Sequence, residues 1–190
     1  MEKAALLIID MQNDFIQDDA PLRVTGAKAI IPNVRKLREI FRRHRLPVFH
    51  VIRVHRPDGC DVEISRRDIF AKRPFAVEGT RGARVIDELA PEEGEYLIKK
   101  ARMSAFFSTD LDLLLRSLGV GWVFVAGIQT PNCIRTTVFD AFACNYRTCL
   151  VEDAVGAANE EIHRSNCRDM ANIGTVLAKT AEVENLLKRM

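Results

Sequence analysis

No charge of one sign dominates this chain of 190 residues: 28 lysines and arginines stand against 26 acids, a formal net charge of +2. So small and scattered an excess offers no basic surface for a phosphate backbone, and nucleic acid is not an expected partner. Long apolar runs are missing too. The one at the amino terminus, Ala4 to Ile9, is far shorter than a spanning helix or a secretory core and stops at an acid, so no membrane association is expected and a cytoplasmic location is. The five cysteines, at 60, 133, 144, 149 and 167, form no C-x-x-C pair. That spacing suits a reducing compartment and argues against a disulfide framework or structural zinc. There is no internal repeat, low-complexity tract or Pro/Gly/Ser-rich linker, so with 47% hydrophobic residues the chain is expected to form one domain over residues 1–190.

What the chain does contain is alternation. Apolar or β-branched runs at 3–9, 47–54, 95–99, 122–126, 148–151 and 175–178 read as buried strands. From Pro32 to Arg45, residues Val34, Leu37, Ile40 and Phe41 recur at helical spacing, with Lys36 and the arginines on a solvated face. Thr80 is placed to cap a short helix through Leu89, and Thr109 with Asp112 resembles a capping box before Leu111, Leu114, Leu115 and Leu118. Asn159 is placed to cap a helix to about Asn172 with Ile162 and Met170 inward, and Thr180 to cap a last one carrying Val183, Leu186 and Leu187. The segment after the second strand, to about Gly79, is long, irregular and rich in Arg, Asp and Pro, as functional or mobile loops often are. This order predicts an α/β fold: three α/β/α layers around a six-stranded, mainly parallel sheet with right-handed crossovers. Ligands of such folds sit beyond the carboxyl ends of the strands, where strand order reverses.

The stretch from Trp122 to Asp140 places a nucleophile at such an edge. A buried strand runs to Ala126, Gly127 frees the backbone for a turn, and a helix follows with Thr130 as N-cap and Pro131 in its first turn. Cys133 then lies where unpaired N–H groups and the helix dipole favour a thiolate. A cysteine elsewhere in a core is usually a small apolar filler; this junction favours a nucleophile. Asp10 and Lys100 also end strands, so an acid, an ammonium and a sulfur share one rim, and Asp10 can serve as base while Lys100 balances charge.

Four segments, Ile8 to Phe15, Lys100 to Phe106, Ala126 to Ile134 with Thr137, Asp140 and Ala141, and Glu152 to Ala154, together resemble the isochorismatase-like cysteine hydrolases, the superfamily of nicotinamidases and N-carbamoylsarcosine amidase. The resemblance spans nearly the whole chain. It implies that Asp10 is the general base, that Lys100 orients and stabilises charge, and that Cys133 attacks a carbonyl carbon to give a thioester. Lys100 rather than Lys99 matches because it lies four residues before Ser104. It further implies a cis peptide at Ile128–Gln129 and an oxyanion site formed by the N–H groups of Gln129 and Cys133. Phe15, Phe106, Gln12 and His55 are the expected pocket residues, and one or two of Arg53, Arg56, Arg66, Arg67, Arg73, Arg81 and Arg84 are expected near it. Metal-binding nicotinamidases carry an Asp-x-His pair after the second strand; this chain has none, so neither metal nor other cofactor is expected.

The resulting expectation is a metal-independent hydrolase of a C–N bond in a small amide or ureido compound, forming a homodimer or homotetramer. Two alternatives stand beside it. One is hydrolysis of an isochorismate-type ether by Asp10 and Lys100 with Cys133 a spectator; the other is a catalytically idle binding or assembly subunit.

Overall fold

A computed structural model describes residues 3–190; the first two positions of the expected 1–190 domain lie outside the described residues. Six strands, β1 (Lys3–Ile9), β2 (Val48–Arg53), β3 (Tyr96–Lys100), β4 (Val120–Ile128), β5 (Arg147–Gly156) and β6 (Val176–Ala178), form one sheet. Its order is β3-β2-β1-β4-β5-β6, and every pairing is parallel. The chain starts at the centre, builds outward to β3, returns to the other side of β1 and continues to β6. Strand order therefore reverses between β1 and β4.

Both sheet faces are covered. Along β1, Ala4, Leu6 and Ile8 enter one core while Ala5, Leu7 and Ile9 enter the other, as the two-residue period of a strand requires. The first core lies under α2 (Ala27–Arg43) and α7 (Thr180–Leu187), with Val34, Leu37, Phe41 and Val183 as contacts. The second lies under α4 (Leu111–Ser117), α5 (Arg135–Ala143) and α6 (Glu160–Asn172), through Leu111, Leu115, Val138 and Met170. A one-turn α1 (Asn13–Ile16) follows β1, and the β2–β3 segment contains a 3₁₀ turn (Ile64–Arg66) and α3 (Arg67–Lys72).

Several local expectations change. Helix α2 begins five residues before Pro32, which lies in its second turn, where the ring removes one N–H from the helical ladder. No α-helix follows Thr80. Thr80 Oγ1 instead accepts from Ala83 N across a turn, and only the 3₁₀ turn Asp87–Leu89 forms there. The carbonyls a helix would need are taken elsewhere: Asn13 Nδ2 donates to Arg81 and Arg84, Gln12 Nε2 to Ala83, and Asp14 N to Gly82. Asn159 does cap α6, accepting from Glu161 N and Ile162 N, but Ile162 is 45% exposed and only Met170 of the expected pair is buried. Lys179 rather than Thr180 caps α7, and Thr180 is held by Asp153 through both its N–H and its hydroxyl. Asp110 takes the N-cap position of α4 without a side-chain capping bond, and Thr109 Oγ1 is bonded within the turn to Leu111 N and Ala105 O.

Candidate active site

The reversal point brings three strand ends together. Asp10 leaves β1 with φ 54°, a left-handed conformation that aspartate tolerates better than most residues. Lys100 is the last residue of β3. Near the end of β4, Gly127 adopts φ 108°; a Cβ there would lie 2.1 Å from the Ile9 carbonyl oxygen, so only glycine permits this approach of β4 to β1. The Ile128–Gln129 peptide is cis. The backbone then makes a π-helical turn, Thr130–Ile134, that carries Cys133 and leads into α5. Thr130 does not cap this turn; its hydroxyl donates to Gly156 O and accepts from His163 Nδ1, which anchors the turn to β5 and α6.

Asp10, Lys100 and Cys133 are all buried and adjacent. Lys100 Nζ has three protons and three acceptors: Asp10 Oδ2 at 2.9 Å, Arg102 O at 3.2 Å and Cys133 Sγ at 3.4 Å. Lys99, its neighbour, points out and pairs with Glu78. Asp10 Oδ1 is buried and has no hydrogen-bond partner.

A fourth charged group joins them. Arg53, at the end of β2 and paired in register with Lys100, is buried to 1% exposure. Its Nη1 donates to Glu63 at 2.6 Å, and its Nη2 lies 3.6 Å from Cys133 Sγ. Burial works against its charge, but the Cys133 sulfur and the Asp10 and Glu63 carboxylates hold the guanidinium above its usual range. Arg53 obeys the rule that singled out Asp10 and Lys100, a charged residue ending a buried strand, and could have been found by it.

Burial pushes the Cys133 thiol up, and the Asp10 carboxylate adds to that against the pull of Lys100 and Arg53. Loss of solvent thus works against the expected thiolate, which Lys100 and Arg53 favour. Arg53 and Lys100 are offset by Asp10 and Glu63, so the cluster is neutral with the proton on sulfur and equally neutral with it on Asp10. Within these five groups, a thiolate beside an ionised Asp10 would leave one negative charge for Arg66, half-buried at the cavity wall, to balance.

A cavity of about 50 Å³ opens onto the sulfur, bounded by Asp10, Phe15, Arg53, Gln129, Asn132 and Cys133, with Leu22, Arg66 and Ile128 completing its wall. That is a few times the ~10–15 Å³ one water needs. The pattern of the Isochorismatase domain matches residues 4–182. This chain belongs to the isochorismatase family. A protein of Arabidopsis thaliana named "Probable inactive nicotinamidase" is 47% identical over 174 residues, covering 90% of this chain and 89% of that one. Maleamate amidohydrolase of Pseudomonas putida is 32% identical over 186 residues, covering 97% and 87%. The crystal structure of an isochorismatase family protein from Desulfovibrio vulgaris superposes with a TM-score of 0.95 at 40% identity, covering 99% and 100%. Isochorismatase-family relatives thus include amide hydrolases.

Within this isochorismatase fold, three expected pocket residues lie elsewhere. Gln12 is buried as a brace: its Nε2 donates to Arg53 O and Ala83 O, and its Oε1 accepts from Arg53 N. It holds Arg53's backbone rather than meeting the cavity. His55 sits edge-on to Phe70 and Phe75, its Nδ1 3.5 Å from Asp61, and burial and then Arg53 lower its pKa so that it stays neutral. Phe106 packs on Tyr146 in the second core. Of the loop arginines, Arg53 and Arg66 line the cavity; Leu22 and Glu63 carried no motif and were missed, and Asn132, inside the Ala126–Ile134 segment, was not singled out. Among the described residues, no three His, Cys, Asp or Glu side chains gather as a metal-ion site, and no helix is long and apolar enough to cross a membrane.

Proposed function

We propose that this protein hydrolyses the C–N bond of a small amide or ureido compound through a thioester on Cys133, residues 1–190 working as one hydrolase domain. The observation that carries this reading is the unpartnered Asp10 Oδ1 in a buried cluster that also holds the sulfur. That oxygen accepts the thiol proton as sulfur attacks the carbonyl carbon, and the C–S bond forms while the carbonyl oxygen becomes an oxyanion. The N–H groups of Gln129 and Cys133 serve as its donors. Collapse breaks the C–N bond, and the proton held by Asp10 leaves with the departing nitrogen as ammonia or an amine. Water then attacks the thioester, giving one proton to Asp10; the C–S bond breaks, the acid departs and the proton returns to sulfur.

Lys100 holds Asp10 Oδ2, leaving Oδ1 to move the proton, and with Arg53 it stabilises the sulfur while it is negative. The cluster's net charge is constant through the transfer, so no step creates an unpaired buried charge. Amide hydrolysis by relatives such as maleamate amidohydrolase supports the bond type. The test is a screen of small amides and ureido acids for ammonia release by wild type and Cys133→Ala. The expected result is a loss of at least ~10³-fold in the variant. Undiminished turnover would make Cys133 a spectator and favour ether-type chemistry by Asp10 and Lys100.

A further inference from the structure

His163, a half-buried residue of α6 that belongs to no motif, reaches the turn that carries the nucleophile. A π-helical turn is an uncommon conformation that recurs at functional sites, and few side chains hold this one in place. Among the described residues, Thr130 and Cys133 are the only members of the stretch 129–134 whose side chains hydrogen-bond another element. Gln129 O takes bonds from within the turn, from Asn132 N at 3.0 Å and Ile134 N at 3.2 Å. Gln129 also lines the cavity, and among the described residues its N–H meets no acceptor. The direction of that free donor is set next door, at Thr130.

The bonds at Thr130 run one way. Thr130 is fully buried, and its Oγ1 lies 3.1 Å from Gly156 O and 3.0 Å from His163 Nδ1. A carbonyl can only accept, so the single hydroxyl proton goes to Gly156, and the bond to His163 then needs a proton on Nδ1. In the neutral ring this leaves Nε2 as an acceptor, and the Cys167 sulfur lies 3.7 Å from it. Burial, with Glu152 and Glu160, pushes Cys167 up to about 11, so at neutral pH it is a thiol with a proton to give. Cys167 and His163 stand four residues apart on α6 and so share one face. Donor and acceptor therefore alternate from Cys167 through His163 and Thr130 to Gly156 in β5.

We propose that His163 is a positioning residue for the nucleophile: held as the Nδ1–H tautomer by the Cys167 thiol, it fixes Thr130 and with it the turn that sets Cys133 Sγ among its charged partners and the Gln129 N–H at the cavity. His163 itself lines no part of that cavity. Its effect on turnover rests on the hydrolase reading above; its effect on the sulfur does not. Without the Nδ1–H, Thr130 is held from β5 alone. A small shift of the turn then lengthens the contacts of Sγ with Lys100 and Arg53, which are 3.4 and 3.6 Å, and these are what stabilise the negative sulfur.

Three measurements test this. In the wild type, ring nitrogen NMR above neutral pH should show His163 protonated on Nδ1 and unprotonated on Nε2; the opposite tautomer overturns the proposal, and no variant has to fold for that result. The second compares alkylation of Cys133 by iodoacetamide, read by peptide mass, in His163→Leu and His163→Asn. An asparagine amide can put an N–H where Nδ1 stood, whereas leucine has nearly the same shape and no donor. Both lose the thiol contact alike, so the gap between them reads the Nδ1–H alone. His163→Leu should slow alkylation by about fivefold or more, and His163→Asn should stay within about twofold of wild type. Leucine as fast as wild type, or asparagine as slow as leucine, overturns the proposal. The third uses an amide that the wild type cleaves: His163→Leu should lower kcat by about tenfold or more with KM within about twofold, and His163→Asn should restore kcat. Turnover that needs Cys133 but is unchanged in His163→Leu overturns the role of His163 and leaves the hydrolase reading standing. Turnover undiminished in Cys133→Ala removes the hydrolase reading instead, and the first two measurements still decide for or against His163.

Discussion

Cys133 is reached by two cations and one free acceptor, and the free acceptor sets its chemistry. Burial raises the thiol, and in the proposed mechanism its proton passes to Asp10 Oδ1 rather than to solvent. Arg53 lowers the cost of the negative sulfur from 3.6 Å away while tied to Glu63. Arg53→Met should therefore do two separable things. It should destabilise the fold by about 3 kcal/mol, as loss of one partner strands a largely buried carboxylate, and it should slow alkylation of Cys133 by at least tenfold. The double variant Arg53→Met/Glu63→Gln should regain most of the stability in urea unfolding yet stay slow in alkylation; joint recovery of both would mean that Arg53 acts only as a packing group. At this scale, Asp10 and Lys100 were legible because a charge ending an apolar strand needs a use. Gln12, His55 and Phe106 were not, because a motif says which residues are near a site but not which way each side chain faces. His55 went between two phenylalanines, and Gln12 spent all its polar capacity on backbone.

The π-helical turn and the β1–β4 seam convert those residues into a site. Gly127 pairs with Ile9 in the seam, and a methyl group there would meet Ile9 N and O at 2.7 and 2.1 Å. Gly127→Ala should cost about 1–3 kcal/mol from the clash, with strain from φ 108° added. Activity should fall further than stability, because displacement of β4 carries Cys133 away from Asp10. Denaturant midpoints and turnover measured on one preparation check this, and an active, fully stable variant would contradict it. Strands were readable because continuous apolar runs bounded by Gly, Pro or a charge leave little choice. The helix expected after Thr80 failed for a tertiary reason: the amides of Gln12 and Asn13 claim the carbonyls of 81, 83 and 84 across about 70 residues of sequence. Such long-range bonds leave no trace in local periodicity. Thr130 was misread likewise, since its partners Gly156 and His163 lie in later elements.

Across the whole molecule, the central sheet with two covered faces followed from the alternation of strand and helix, whereas strand order could not be read, since one pattern permits several windings. That order places β1 between β2 and β4 and so assembles charges from three strands. Double coverage also buries thiols. Burial pushes Cys149 up to about 12 and, with Glu152 and Glu160, Cys167 up to about 11, from 9.0. Above pH 9 the unfolded chain loses these protons while the folded one keeps them, so stability falls as pH rises, by up to about 1.4 kcal/mol per pH unit for each thiol. Melting temperatures from pH 8 to 10.5 should fall, and Cys149→Ala should have a shallower decline than wild type even though its cavity lowers the starting value; parallel curves would contradict this. The central claim, that the buried sulfur becomes acylated while Asp10 carries its proton, is tested most directly by acid-quenching wild type and Asp10→Asn during turnover of a cleaved amide and weighing the Cys133 peptide. Wild type should show the mass of the substrate's acyl group on Cys133 and Asp10→Asn none; turnover with Cys133 unmodified at every quench time, and undiminished in Cys133→Ala, would contradict it.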